Sequence, residues 1–348
     1  DSVTNLPVAA AKIFMRSAEG DIYNATTDVN GNYTVNCFAK TYDIFCGKWS
    51  YKENGINGYV LNPGPATINF KIQKGYYDDF ILDLGWTITS NAETGKFVRA
   101  EPIGTLNGNN YVNPEFDIAG DWGDYSFMTG NGGGSGFTDD VDDGTTTIKS
   151  PKMDLLSYAD AVVKFYAWFD NYGGQATPKD SIVVYLSDGV TKKTALYIDM
   201  NNFPLSQWNY HEFHVNDYMS PTANMQVTFS VTDLSNSGNV LEAAIDYFKV
   251  IDALGTGTNE LVLGNENHSS VFPNPFSYNT IVSYRIAETS GNSRIVVKDV
   301  LGNEVMMKNI YSSSGSVSIG ENLAEGIYFV SIVNGNEVLA MQKIVKVK

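Results

Sequence analysis

Val162-Val163-Lys164-Phe165-Tyr166-Ala167-Trp168-Phe169 is a run of β-branched and aromatic side chains without proline or glycine. Such a run reads as a β-strand. Ser181–Ser187, Met225–Thr232 and Ala243–Ile251 have the same character. Between them lie glycine-rich loops, above all Gly130–Gly136, and no stretch of a dozen residues keeps a helical period. The pattern predicts that residues 70–252 form a jelly-roll sandwich of two antiparallel sheets.

Outward from that block, the same alternation continues in shorter units. Ala11–Arg16, Tyr33–Phe38, Tyr42–Trp49 and Ala66–Ile72 are strand candidates, and they make residues 1–69 a small β-sandwich. Its first strand is missing, because Asp1-Ser2-Val3-Thr4 already reads as a turn. Residues 253–269 are small and polar and read as a linker. Residues 270–348 alternate again through Thr280–Ile286, Ser293–Lys298, Asn303–Ile310, Gly315–Ile319, Gly326–Val333 and Glu337–Val347. Asn334-Gly335-Asn336 between the last two is a hairpin signal. The fold class expected is all-β, three consecutive β-sandwich domains.

Composition limits the function classes. The chain has 348 residues, 39 of them acidic and 23 basic, for a net charge of −16. That excludes a nucleic-acid binder working by phosphate neutralisation and disfavours a polybasic membrane-surface protein. Charged residues are only 18 % and aromatics reach 13 %, the reverse of a disordered acidic chain. The acidity is local: residues 70–252 hold 25 acidic and 11 basic side chains, while the blocks on either side are nearly neutral. No apolar run approaches the ~18 residues of a membrane span. The chain opens on Asp1, with no charged and apolar leader behind it, so it reads as processed or as a fragment.

Catalytic signatures are not found. His211 and His214 stand three apart in a strand-like stretch, which sends them to opposite faces, and His268 lies alone. Gly134-Ser135-Gly136 is not a nucleophile elbow. Cys37 and Cys46 lie in the two arms of an expected hairpin, as a disulfide or as a pair of buried free thiols. The crowded acids Asp139, Asp140, Asp142 and Asp143 are either a solvated loop or ligands of a structural Ca²⁺, with Asp246 as a distant partner. Trp122, Tyr125 and Tyr172 sit in polar, glycine-rich surroundings, where they either pack or stack on sugar; Trp168 reads as core.

Three resemblances add expectations. Val271-Phe272-Pro273-Asn274-Pro275-Phe276, Val297-Lys298-Asp299-Val300-Leu301-Gly302, Leu323-Ala324-Glu325-Gly326-Ile327-Tyr328 and Lys343-Ile344-Val345-Lys346-Val347-Lys348 follow one another in order. Together they resemble the type A sorting domain of the Bacteroidetes type IX secretion system, an Ig-like sandwich. The resemblance implies recognition by an outer-membrane shuttle and translocon, with Pro273, Asn274, Pro275, Gly302, Gly326, Tyr328, Lys343 and Lys346 in the signal, and surface attachment. The resemblance also implies removal of the domain at the cell surface. Physically, Pro273 and Pro275 lack an N–H and keep Asn274 out of helix.

Asp1–Val8 and Thr27-Asp28-Val29-Asn30-Gly31-Asn32-Tyr33 resemble the transthyretin-like, carboxypeptidase regulatory-type domain. Asp78-Asp79-Phe80, Gly85-Trp86-Thr87, Gly136–Pro151 and Glu242–Phe248 resemble jelly-roll modules that follow catalytic domains in secreted bacterial peptidases. The order of the three implies the non-catalytic C-terminal part of a secreted zinc carboxypeptidase, its zinc upstream of Asp1. The alternative is a surface adhesin or carbohydrate-binding protein exported by the same route, with a protein or glycan ligand on the jelly roll.

Overall fold

The computed structural model describes all residues except 119–120, 174–179, 234–237, 255–267, 273, 277, 286–292, 311–313, 322, 336 and 348. It is all-β. The helical element among the described residues is one 3-10 turn, Val215–Asp217. Among the described residues, no helix is long and apolar enough to cross a membrane. The chain divides into two compact units, Asp1–Thr256 and Gly257–Lys348. The expected linker falls mostly on 255–267, outside the described residues.

In the first unit, two antiparallel sheets face each other. One runs Trp208–His214, Ala161–Gly173, Asn239–Asp252, Ser126–Thr129 and Phe97–Ala100, with Tyr76–Asp78 also paired to Asn239–Asp252. The other runs Lys192–Ile198, Ile182–Ser187, Gln226–Asp233, Gly144–Lys149 and Thr87–Ser90. Period-2 alternation places Ile182, Val184 and Leu186 inward from one strand and Val163, Phe165, Ala167 and Phe169 inward from the other. Both faces of the Ala161–Gly173 strand are covered, because the loop after Phe97–Ala100 crosses its outer side. There Trp168 Nε1 donates to Val112 O at 2.7 Å, and Trp208 Nε1 to Phe116 O at 3.0 Å.

The opening block is a four-stranded sheet ordered Ile22–Thr26, Lys12–Ser17, Thr41–Gly47, Asn54–Val60. Ile13, Met15, Tyr42, Ile44 and Cys46 fill one face, against Ile68, Phe70 and Ile72. The expected strands Tyr33–Phe38 and Ala66–Ile72 are extended but join no ladder. They cover the sheet with side chains instead, and Tyr33 Oη donates to Ile68 O at 2.9 Å. Pro63 and Pro65, without N–H groups, stand just ahead of the second segment. Cys37 and Cys46 are free thiols on this core, and burial pushes the Cys46 thiol up to about 12.

The other face of that sheet packs on the jelly roll. Phe14 and Phe45 meet Ile81, Leu82 and Leu84, with Trp49, Trp122 and Tyr125 around them. Arg16 pairs both guanidinium nitrogens with Asp124, at 2.7 and 2.8 Å. Trp49 reaches furthest, its ring beside Tyr76, Trp86 and Phe248 and its Nε1 donating to Lys152 O at 2.7 Å. Two sandwiches therefore share one hydrophobic seam.

The second unit packs a sheet of His268–Phe272, Thr280–Arg285 and Ser314–Ile319 on one of Glu304–Asn309, Ser293–Asp299, Gly326–Asn334 and Glu337–Lys346. Phe276, Val282, Ile295, Val297, Val330, Ile332 and Ile344 form its core.

Candidate functional site

In the second unit, the start of the expected signal is fastened to its end. Pro273 lies outside the described residues. Asn274 grips the last strand with both side-chain atoms: Nδ2 donates to Lys343 O at 2.8 Å, and Oδ1 accepts from Val345 N at 2.8 Å. Pro275 follows through a cis peptide bond. Phe276 then pairs in parallel with Lys346, its N–H donating to Val345 O at 3.0 Å and its O accepting from Val347 N at 2.9 Å. The open edge of Glu337–Lys346 is thereby covered at its C-terminal end, where an edge strand is otherwise exposed.

The two basic residues of this strand differ. Lys343 is exposed, whereas Lys346 is 9 % exposed and donates to Tyr278 O at 2.9 Å and Gly320 O at 2.6 Å. Its ammonium also lies 5.5 Å from the centroid of the buried Phe276 ring. Gly320 has φ of +104°, and a Cβ there would stand 2.3 Å from Phe276 Cε2, so only glycine fits under that ring. Gly302 closes the turn capped by Asp299, whose Oδ1 accepts from Leu301 N and Asn303 N. Gly326 opens the next strand, and Tyr328 Oη donates to Ala324 O at 2.9 Å.

The expected calcium ligands do not converge. Asp139 Oδ2 accepts from the backbone of Asn131 and Gly132 at 2.8 and 2.7 Å. Asp140 accepts from Leu241 N, and burial pushes it up to about 7. Asp142 accepts from Thr94 Oγ1. These acids hold loops together, each turned to a different donor, and Asp246 is not among them.

Two other acidic groups do converge among the described residues: Glu53–Asp78–Asp79 and Asp117–Asp121–Asp246, each with carboxylate oxygens within 4.8 Å of one another. Glu53 comes from the opening sheet, Asp78 and Asp79 from the end of Tyr76–Asp78, and Asp117 and Asp121 from the loop before Ser126–Thr129. Register explains their meeting: Asp78 stands opposite Phe248, two residues after Asp246. Trp122 N donates to Asp79 Oδ2 at 2.8 Å and so ties the second group to the first. Phe80 and Tyr247, each directly after one of these acids, are left-handed at φ of 68° and 56°.

Three carboxylate oxygens here are buried without a hydrogen-bond partner: Glu53 Oε1, Asp117 Oδ2 and Asp121 Oδ2. Burial raises Glu53, Asp79 and Asp246, and lifts Asp78 and Asp117 to about 7 and Asp121 to about 11. The negative charge of Asp79 adds to the rise at Asp117, Asp121 and Asp246. Oxygens so placed suit a hard cation. Sequence reasoning singled out Asp78-Asp79 and Asp246 but missed Glu53, Asp117 and Asp121, which no local motif marks.

The histidines take the opposite faces expected. His214 bonds Asp160 at 2.9 Å, and that bond raises it. His211 is 4 % exposed between Phe165 and Phe203, and burial lowers it to about 4. Its folded pKa lies below the unfolded value of 6.5, so its stabilisation is present above pH 6.5 and lost as pH falls toward 4. The expected loss is about 3 kcal/mol. In denaturant titrations across that window, His211→Leu should flatten the acid limb; an unchanged slope would refute the assignment. Trp122 and Tyr125 pack at the seam, and Tyr172 edges Phe137.

Comparison with known proteins bears mainly on the second unit. Residues 270–347 match the family profile described as secretion system C-terminal sorting domain. No curated protein matches the chain. Among solved structures, the K1 cleaved adhesin domain of Lys-gingipain from Porphyromonas gingivalis W83 is similar at 13 % identity, over 51 % of this chain and 98 % of that one, with a TM-score of 0.29. A carbohydrate-binding module of the β-sandwich superfamily is similar at 14 % identity, over 70 % and 86 %, with a TM-score of 0.31. A glycosyl hydrolase family 2 member from Bacteroides cellulosilyticus DSM 14838 is similar at 10 % identity, with a TM-score of 0.25; the overlap is 74 % of this chain and 36 % of that enzyme. Overlaps this low transfer no functional residue. By its sorting block, the chain is a protein exported through the outer membrane by type IX secretion and attached at the cell surface.

Proposed function

We propose that this chain is the non-catalytic, surface-displayed C-terminal part of a secreted peptidase of the metallocarboxypeptidase kind. The observation that carries its export is the sorting block at 270–347, with its opening Asn274 locked onto the final strand. Support for the peptidase comes from the regulatory-type pattern at Asp28–Tyr33, where Asp28 Oδ1 accepts from Asn30 N and Asn32 N. Further support is the order of the blocks: regulatory-type sandwich, jelly roll, sorting domain. The sandwiches then serve to carry and space an upstream catalytic domain, whose zinc would lie before Asp1.

Two measurements test the two halves of this reading. The full chain, expressed in a type IX-competent host, should reach the cell surface and should stay in the periplasm when Glu337–Lys348 is removed. Surface display of the truncated chain would refute the sorting role. The intact mass and N-terminal sequence of the native protein should reveal a zinc-binding catalytic domain ahead of Asp1. A signal peptide alone ahead of Asp1 would refute the peptidase and leave an exported binding protein.

A further inference from the structure

The carboxylates at the seam between the two sandwiches lie outside the sorting block. We propose that Glu53, Asp79, Asp117, Asp121 and Asp246 form a calcium site that fastens the opening sandwich to the jelly roll.

Geometry supports it first. Glu53 is 6 % exposed and grouped with Asp78 and Asp79; its Oε2 accepts from Asp79 N at 3.3 Å, and its Oε1 is buried without a hydrogen bond. Leaving such an oxygen buried and unpaired is costly, and a cation removes the cost. Asp117 Oδ2 and Asp121 Oδ2 repeat the situation beside Asp246. Asp78 has a different part: its two oxygens accept from Phe80 N at 2.9 Å and Trp86 Nε1 at 2.8 Å, which fixes the backbone that presents Asp79. Likewise Asp246 is oriented by Ile118 N and Tyr247 N. The basic groups alongside are engaged with other atoms: Arg99 donates to the carbonyls of Phe80 and Ile81, and Arg16 holds Asp124.

Chemistry then selects the ion. The donors are all carboxylate oxygens, with no histidine or cysteine in either group. Zinc and copper favour nitrogen and sulfur, whereas Ca²⁺ takes six to eight oxygens in a loose geometry. Mg²⁺ prefers to keep several waters, which a largely buried nest resists.

The location makes the ion a fastener. Glu53 belongs to the opening sandwich, and the other four belong to the jelly roll. Trp122, next to Asp121, lies over Gly55, where a Cβ would come within 2.9 Å of the indole. The loop bearing two of the ligands thus already rests on the first sandwich, and an ion adds a charge-neutralising link at the same point.

The test uses the full chain, stripped with chelator and then titrated with Ca²⁺ or Tb³⁺. Calcium at 100 times its Kd should raise the melting midpoint of the first unit by about 5–10 °C. Tb³⁺ should luminesce on excitation of the tryptophans, and Ca²⁺ should displace it. Asp121→Asn should abolish both responses. Because the amide matches the carboxyl in shape and brings no charge to bury, its chelated form should melt no lower than chelated wild type, which separates lost binding from lost folding. Glu53→Gln should weaken calcium binding at least tenfold, while Asp139→Asn should leave it unchanged. No calcium response in the wild type, or a response that survives Asp121→Asn, would overturn the site. Unchanged affinity in Glu53→Gln would overturn the link between the sandwiches.

Discussion

Phe276→Ala should unfold the second unit and stop export, leaving the full chain in the periplasm. The ring is 2 % exposed, and phenylalanine-to-alanine changes in cores cost about 3–5 kcal/mol. A β-sandwich of this size has a net stability of about 5–10 kcal/mol, so the change removes a large share of it. The damage extends beyond the lost area. Lys346, whose ammonium donates to Tyr278 O and Gly320 O above that ring, loses the packing that holds its stem in place. The pairing of Phe276 with Lys346 covers the edge of the last strand, so the signal's final residues would fray with it. Calorimetry on the full chain should show the second unit's transition lost and the first unit's unchanged. Export at the wild-type level, with both transitions intact, would refute this. Lys343→Ala separates recognition from folding: Lys343 is exposed, so its loss should leave melting unmoved. Any fall in export it causes belongs to the secretion machinery.

Strand runs were legible where alternation and turn chemistry agree. Gly326–Asn334 and Glu337–Lys346 fall within a residue of their expected limits, because Asn334-Gly335-Asn336 marks the turn and period-2 patterning marks the rest. Tyr33–Phe38 has the composition of a strand, but strand composition does not say whether a ladder partner exists. Lys346 shows a second limit. In sequence it is one of three terminal lysines; its distinct role depends on carbonyls of Tyr278 and Gly320, 68 and 26 positions away. The acidic site shows the same limit most clearly. Adjacency drew attention to Asp139–Asp143, yet Asp139, Asp140 and Asp142 turn to separate donors: the backbone of Asn131 and Gly132, Leu241 N and Thr94 Oγ1. The carboxylates that meet are scattered from Glu53 to Asp246, and the register of Tyr76–Asp78 on Asn239–Asp252 brings part of them together.

Trp49→Ala should loosen the opening sandwich from the jelly roll without unfolding the jelly roll itself. Trp49 follows the strand Thr41–Gly47, so it belongs by sequence to the first sandwich. Its ring, however, lies 5.4 Å from Tyr76, 6.1 Å from Trp86 and 6.3 Å from Phe248, all part of or packed on the jelly-roll core. The expected cost is about 3 kcal/mol, the lower end for a large aromatic, because the indole is only partly buried. What remains at the seam includes the Phe14–Phe45 patch, the Arg16–Asp124 pair and the bond from Asp79 N to Glu53 Oε2. The opening sheet depends on that seam, since its strands Lys12–Ser17 and Thr41–Gly47 bury side chains on both faces and one face has no other cover. Amide exchange should therefore quicken in Thr41–Gly47 while Ala161–Gly173 stays protected. Equal exchange in variant and wild type would mean that the seam is not what holds the first sandwich. Combined with chelation the effects should exceed their sum, because Trp49 and Glu53 fasten the same sandwich at neighbouring points, and contacts that share a rigid body are not independent.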